Sequence, residues 1–301
     1  MKKILYIALL AMFLVGCDEG YNNNPSDENS NQSSSNDSVN KPDDDSFISA
    51  FSVSEDKQVI FSPGNLQYNR KTKQWSFASS QYEILGTDNV SGGTVTASPL
   101  EGYCKYYGKA LANKIDLFGW STTANHFGVT SSDSDVDYSG SFVDWGTNKI
   151  GLDTPNTWRT MTDEEWCYIV YDRPNASSLN GVAQVNGVNG FVLLPDNWTC
   201  PAGVTFKSGF HSDLGIDTYG KYQTFSAEQW LILEKAGAIF LPSAGSRWSC
   251  EVYDVQTQGS YWSASEYFDE FSICLRFSSK EMIVGYLNRQ GGLSVRLVKD
   301  L

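Results

Sequence analysis

Asp133, Asp135 and Asp137 stand at alternate positions, followed by Ser139 and Ser141. Carboxylate and hydroxyl oxygens at that spacing suit a hard cation such as calcium. An EF-hand loop also needs glycine at its sixth position and glutamate at its twelfth, and here Tyr138 and Asp144 occupy those places. A solvated acidic loop is therefore the default reading, with calcium the only cofactor that the spacing suggests. Zinc chemistry lacks ligands, because the only histidines are His126 and His211, and a zinc site draws three or four converging side chains. Neither histidine adjoins a nucleophile turn of the Gly-x-Ser-x-Gly kind. Beyond Cys17 the cysteines are Cys104, Cys167, Cys200, Cys250 and Cys274, too widely spaced for a metal knuckle. Their odd number leaves at least one unpaired within a monomer, and the pairing of the rest stays open.

The N-terminus carries a different signal. Lys2 and Lys3 precede an apolar run from Ile4 to Val15 that ends in small residues. A basic start, a short apolar core and a small-residue cut describe a secretory signal. The run falls short of the roughly 20 residues a membrane-spanning helix needs. From Asp18 to Ser46 the chain is mostly Asn, Ser, Asp, Glu and Pro, with Val39 its only aliphatic residue and Tyr21 its only aromatic one. Such a segment buries too little apolar surface to offset its ordering entropy, so it reads as a disordered tether. Eight acids against Lys41 give the tether a net charge of −7, Lys2 and Lys3 give the signal +2, and the total of −13 therefore leaves −8 for residues 47–301. An acidic chain without basic runs argues against nucleic acid as a partner.

Residues 47–301 are long enough for one domain with a substantial core. Alternation predicts a small antiparallel meander at Gln58–Ser62, Asn65–Tyr68 and Gln74–Phe77. Residues 87–154 are rich in Gly, Ser, Asp and Thr and read as long loops anchored by Trp120, Phe127 and Trp145. Two capping boxes predict two helices. One starts at Thr162 with Glu165 three residues on; the other starts at Ser226 with Gln229. Pro174 ends the first and Gly237 the second. Asn186-Gly187 joins 182–185 to 190–194 as a hairpin. Further strands are expected at 238–241, 260–263, 271–277, 282–286 and 293–298. The fold class is α+β, with two helices, antiparallel sheets and long loops. Trp158, Trp166, Trp198, Trp230 and Trp262 are expected in the core. Arg159 and Arg296 are expected to pair with buried acids or carbonyls.

Several of these segments resemble known families. Leu14-Val15-Gly16-Cys17 resembles the lipobox of bacterial lipoproteins. That implies removal of residues 1–16, lipidation of Cys17 and a tether over 17–46. Asp18-Glu19 resembles the acidic surface-export signals of Bacteroidales lipoproteins, which implies the outer face of the outer membrane. The segments Trp158-Arg-Thr-Met-Thr-Asp-Glu-Glu-Trp166, Leu194-Pro-Asp-Asn-Trp198, Ala236-Gly-Ala-Ile-Phe-Leu-Pro-Ser-Ala-Gly245, Gly259-Ser-Tyr-Trp-Ser-Ala-Ser265 and Ser294-Val-Arg-Leu-Val298 occur in that order. Together they resemble the Fibrobacter-type major paralogous domain and related Bacteroidales surface lipoproteins. These are similar to the C-type lectin-like fold of formylglycine-generating enzymes and retroelement-diversified receptors.

The resemblance implies a C-type lectin-like domain over 47–301. In the diversified receptors, ligand contacts fall in the C-terminal segment. Here that points to exposed Glu266, Tyr267, Phe268, Asp269, Phe271, Tyr286, Asn288 and Arg289, with an extracellular glycan or protein as ligand. The alternative is that Tyr267 and Phe268 only pack a loop. Formylglycine-generating chemistry uses two nearby cysteines close to the C-terminus. Here Cys274 is alone in the final strands, with Ser279 five residues on, so a non-enzymatic role is expected. A structural or tip component of a surface or fimbrial assembly is the further alternative.

Overall fold

The chain's computed structural model describes residues 49–98, 103–213 and 216–301. The signal, Cys17 and the tether lie outside the described residues, as does the Cys104 side chain. Phe47–Leu301 is one compact unit. It opens with β1 (Phe51–Ser52) and β2 (Gln58–Phe61), then β3 (Leu66–Asn69) and β4 (Gln74–Phe77). Short strands follow: β5 (Val90–Ser91), β6 (Thr94–Ser98), β7 (Tyr103–Tyr107), β8 (Ala110–Leu111) and β9 (Lys114–Ile115). After a long region of loops and single 3-10 turns come α1 (Asp163–Cys167), β10 (Asn180–Val185), β11 (Val188–Leu193), α2 (Ile216–Tyr222), β12 (Thr224–Phe225), α3 (Ala227–Lys235) and β13 (Ile239–Pro242). The last part holds β14 (Ser246–Trp248), β15 (Glu251–Tyr253), β16 (Gln258–Phe268), β17 (Phe271–Ser278), β18 (Met282–Asn288) and β19 (Val298–Asp300). Pairing is antiparallel except between β10 and β12, so the class is α+β with mainly antiparallel sheets and few helices.

Both capping boxes form. Thr162 Oγ1 accepts from Glu165 N while Glu165 Oε2 accepts from Thr162 N, and Ser226 and Gln229 do the same for α3. Each box satisfies two of the four backbone N–H groups left orphaned at a helix start. Helix α1 continues as a wider turn over Tyr168–Asp172 that buries Ile169 and Val170 ahead of Pro174. Helix α3 closes in a Schellman arrangement: Gly237 N donates to Glu234 O and Ala238 N to Leu233 O, with Gly237 at φ 97°. Asn186 and Gly187 turn the β10–β11 hairpin at φ 47° and 80°, the left-handed pair that matches strand twist.

Four expectations change. The first strands do not form one meander: β2 pairs with β1 and the C-terminal β19, whereas β3 pairs with β4 and β9. Long-range pairing of the two chain ends has no local sequence signature. Residues 293–297 form no strand, and Leu293 and Ser294 make single bridges to Phe118 and Tyr261 before β19 starts at Val298. The loop region contains β5–β9, and Trp120 and Trp145 are indeed buried there. A third helix, α2, was not foreseen, because Asp217, Gly220 and Lys221 break its apolar spacing.

The hydrophobic core divides into clusters, two of which pack on opposite faces of the long β16–β17–β18 sheet. One face of that sheet carries Leu275 and Phe277, which pack with Phe51, Trp166, Phe191 and Leu241. The opposite face carries Cys274 and Trp262, which pack with Trp75, Phe118, Trp120 and Trp145. Trp166, Trp230 and Trp262 are fully buried; Trp158 and Trp198 are half-buried and pack at core margins. Arg159 holds Glu165 with two bonds, at 2.6 and 2.7 Å, and Asp300 at 2.7 Å, tying α1 to β19. Arg296 is buried too and donates, as expected, to carbonyl oxygens, those of the side-chain amides of Gln81 at 3.0 Å and Asn65 at 3.4 Å. Burial lowers its pKa to about 10.

Candidate functional site

The β16–β17 hairpin outruns the core it covers. Along one face, Leu275 and Phe277 are packed, and their β18 neighbours Val284 and Met282 lie against the same core. Two residues further along that face, Ile273 faces Tyr286, and Phe271 faces Asn288. There the underlying core ends and the side chains reach the surface. Register shifts between Trp262 and Phe268 add residues to β16 and re-aim its end.

The result is a platform of touching rings. Tyr267 stacks on Tyr286 with centroids 4.5 Å apart and planes 11° off parallel. Phe268 meets Tyr267 edge-on at 4.4 Å, and Phe271 meets Tyr286 edge-on at 5.5 Å. Tyr267 is 44% exposed, Tyr286 51% and Phe268 66%. Exposed rings held by one another lose little further freedom on binding. Glu266, Asp269 and Glu270 are exposed at the tip and give the rim negative charge. Among the described residues β18 is also an edge strand, with β17 as its ladder partner. The Tyr171 hydroxyl donates to Met282 O and accepts from Val284 N, which closes part of that edge.

Of the expected ligand residues, the structure brings together Glu266, Tyr267, Phe268, Phe271 and Tyr286. Asp269 lies at the tip, and Asn288 is half-buried at the strand end, where its carbonyl accepts from Gly291 N. Arg289 differs from expectation: it is only 4% exposed. Its guanidinium lies 4.4 Å from the centre of the Trp120 ring, donates to Ser272 Oγ at 3.1 Å and Phe271 O at 3.3 Å, and meets Glu266 Oε2 at 3.5 Å. It is a post beneath the platform, not part of its surface. Trp120, which carries that post, sits in a loop whose composition gave no hint of it. Its indole N–H donates to Ser263 O, and its backbone N–H donates to Arg289 O.

The acidic loop does not gather its carboxylates. Asp135 and Asp137 lie on a single 3-10 turn, Asp137 accepts from Ser132 Oγ, and all three aspartates are exposed. Among the described residues, no three His, Cys, Asp or Glu side chains converge as a metal site would require. His126 is exposed, and His211 Nδ1 accepts from Asp213 N. Cys274 is fully buried, and burial pushes its thiol up to about 12. Ser279 Oγ donates to Asp213 O. Cys167 and Cys250 also form no disulfide, and Cys200 Sγ donates to Val204 O.

Sequence reasoning missed a second concavity. A cleft of about 450 Å³ is lined by Tyr107, Gly108, Asp133, Trp248, Ser249, Cys250, Glu251 and Gln290. Its residues come from four separate segments: the β7–β15 pairing sets Tyr107 opposite Glu251, and the Arg247–Gly292 bridge brings the chain around Gln290 alongside. No protein-family model, curated protein or solved structure matches the chain.

Proposed function

We propose that this chain is a non-catalytic, lipid-anchored binding protein that presents a C-type lectin-like domain outside the cell, with a glycan or protein as ligand. The observation that carries the reading is the exposed ring platform of Tyr267, Phe268, Phe271 and Tyr286. A contiguous apolar surface with a charged rim marks a recognition site more often than a structural one. The α+β class, the two capping boxes and the buried Trp166 and Trp262 are consistent with the C-type lectin-like resemblance. The segment Leu14-Val15-Gly16-Cys17 and the acidic tether support a lipid anchor at the outer membrane, facing outward. The full burial of Cys274, which leaves its thiol closed to a substrate, favours binding over formylglycine-type oxidation.

The test is a survey of the full chain against arrays of glycans and extracellular proteins, repeated with Tyr267, Phe268 and Tyr286 all changed to alanine. Each ring at the centre of an interface contributes roughly 1–2 kcal/mol, so the triple variant loses at least about tenfold in affinity. Undiminished binding by a triple variant of unchanged melting temperature moves the site elsewhere. A subunit of a surface assembly, in contrast, extracts as a large species with fixed partners.

A further inference from the structure

The residues of β18 do nothing to protect its edge. Met282-Ile-Val-Gly-Tyr-Leu-Asn288 holds no charge and no proline, the residue types by which edge strands avoid joining other chains. The ladder fixes which main-chain groups point outward. Arg289 N donates to Glu270 O at 2.9 Å, towards β17. Main-chain groups of an antiparallel strand change side at every residue. Gly285 and Leu287 therefore also turn theirs to β17, and Met282, Val284 and Tyr286 turn theirs away. The Tyr171 hydroxyl agrees, since it takes up Met282 O and Val284 N on the outer side. Tyr286 N–H and C=O come next along that side, and no hydrogen bond joins them to another described residue. The ring of the same residue is 51% exposed and stacked on Tyr267. Main-chain pairing and aromatic contact are thus offered together at one position.

Charge selects the occupant. Glu266, Asp269 and Glu270 are exposed around the hairpin tip, and the Arg289 guanidinium that meets Glu266 is buried below. A second copy brings the same three acids on a domain of net charge −8, and the chain's own segment 18–46 carries −7, so both are repelled. We infer that the open edge at Tyr286 takes an extended, lysine- or arginine-bearing segment of a partner protein, which adds as a fourth strand to the β16–β17–β18 sheet and lays side chains against the platform rings. This rests on the platform reading and selects protein over glycan as its ligand. In strand addition the main-chain bonds give affinity and the contacts of alternate side chains give selectivity. Tyr286 N–H and C=O bond one residue of the segment. Tyr267 and Tyr286 receive its apolar side chains, and the acids at the tip receive its cations.

The probe is a phage-displayed library of short random peptides selected on the full chain, with the enriched peptides then made in free form. They carry lysine or arginine within β-forming sequence, and they slow hydrogen exchange at the Tyr286 amide about tenfold or more, read by NMR with isotope-labelled tyrosine. Placing the α-hydroxy acid of tyrosine at position 286 keeps the ring and removes the N–H. That ester weakens the peptides about fivefold at unchanged melting temperature, as loss of one hydrogen bond does. Asp269→Asn with Glu270→Gln weakens them as well and flattens the salt dependence. No enrichment, enrichment of acidic or uncharged peptides, or binding that leaves Tyr286 exchange unchanged overturns the assignment. Tyr267→Ala with Phe268→Ala separates the two readings, because the main chain at 286 stays intact. Peptides lost to this variant but indifferent to the ester keep the platform and overturn strand addition. Peptides that bind the variant undiminished overturn the platform, and with it the ring contacts proposed here.

Discussion

Asp116 is the residue whose chemistry is most out of the ordinary. It is fully buried, and among the described residues no lysine or arginine forms an ion pair with it, although Lys114 acts on it from a distance. Burial pushes its pKa to about 6, although Leu85 N–H and the Asn89 amide donate to its oxygens at 2.8 and 2.7 Å and act the other way. Asn89 Oδ1 in turn accepts from Asp116 N and Leu117 N, so the pair stitches the 86–89 turn to β9. The sign follows from linkage. Between the ordinary value of 3.8 and about 6, the folded chain holds a proton that the unfolded chain has released. This group therefore favours folding at acid pH, and its contribution falls as pH rises through that window. Asp116→Asn abolishes the titration. In urea unfolding, the stability of the variant relative to wild type rises between about pH 4 and about pH 7. A difference that stays constant with pH contradicts the assignment. Glu83 works in the opposite sense. Burial raises it, but bonds from Gln67, Ser79 and Lys114 outweigh that and hold it near 2. Its contribution is present above the ordinary carboxylate value and is lost in acid.

At the scale of elements, local chemistry was legible and long-range pairing was not. Thr162 with Glu165, Ser226 with Gln229, Asn186-Gly187 and Gly237 each specify a helix start, a turn or a helix stop through atoms within a few residues. All four form as their types predict. Helix α3 gives a test of that principle. Gly237 sits at φ 97°, and a side chain there would meet Ser49 and Pro195. Gly237→Ala therefore costs more than about 1 kcal/mol, seen as an earlier midpoint in chemical unfolding. A neutral effect means the Schellman closure is not what ends the helix. In contrast, nothing near residues 58–62 says that β2 joins β19 across some 240 positions. Nor does anything near Arg289 say that it is buried over Trp120. The exposed residues of the platform were reached through the resemblance to diversified receptors, which points to the C-terminal segment, and not through composition or spacing, which left open that Tyr267 and Phe268 only pack a loop. The cleft was illegible because Tyr107, Asp133, Trp248 and Gln290 meet only through tertiary pairing.

At the scale of the whole molecule, the account joins a binding domain to an anchor through the acidic segment 18–46. The proposed anchor is one atom, the thiol of Cys17. Replacing Cys17 with alanine in the full chain moves the protein from the membrane fraction to the soluble fraction and removes its fatty-acid label. Retention of the variant in the membrane at wild-type level contradicts lipid anchoring through that residue. Loss of the anchor leaves the domain's unfolding midpoint unchanged, because residues 47–301 form a unit of their own.

The central claim is that the ring platform is where this molecule meets its ligand. Photo-crosslinking from the full chain on living cells tests it most directly. A photoreactive phenylalanine analogue replaces Phe268, and in a second variant it replaces Leu152, which is 97% exposed but outside the platform. The account predicts a discrete adduct from position 268 that disappears when Tyr267 and Tyr286 are also changed to alanine, and none from position 152. Equal adducts from both positions, or none from 268 while another surface captures the ligand, contradict it.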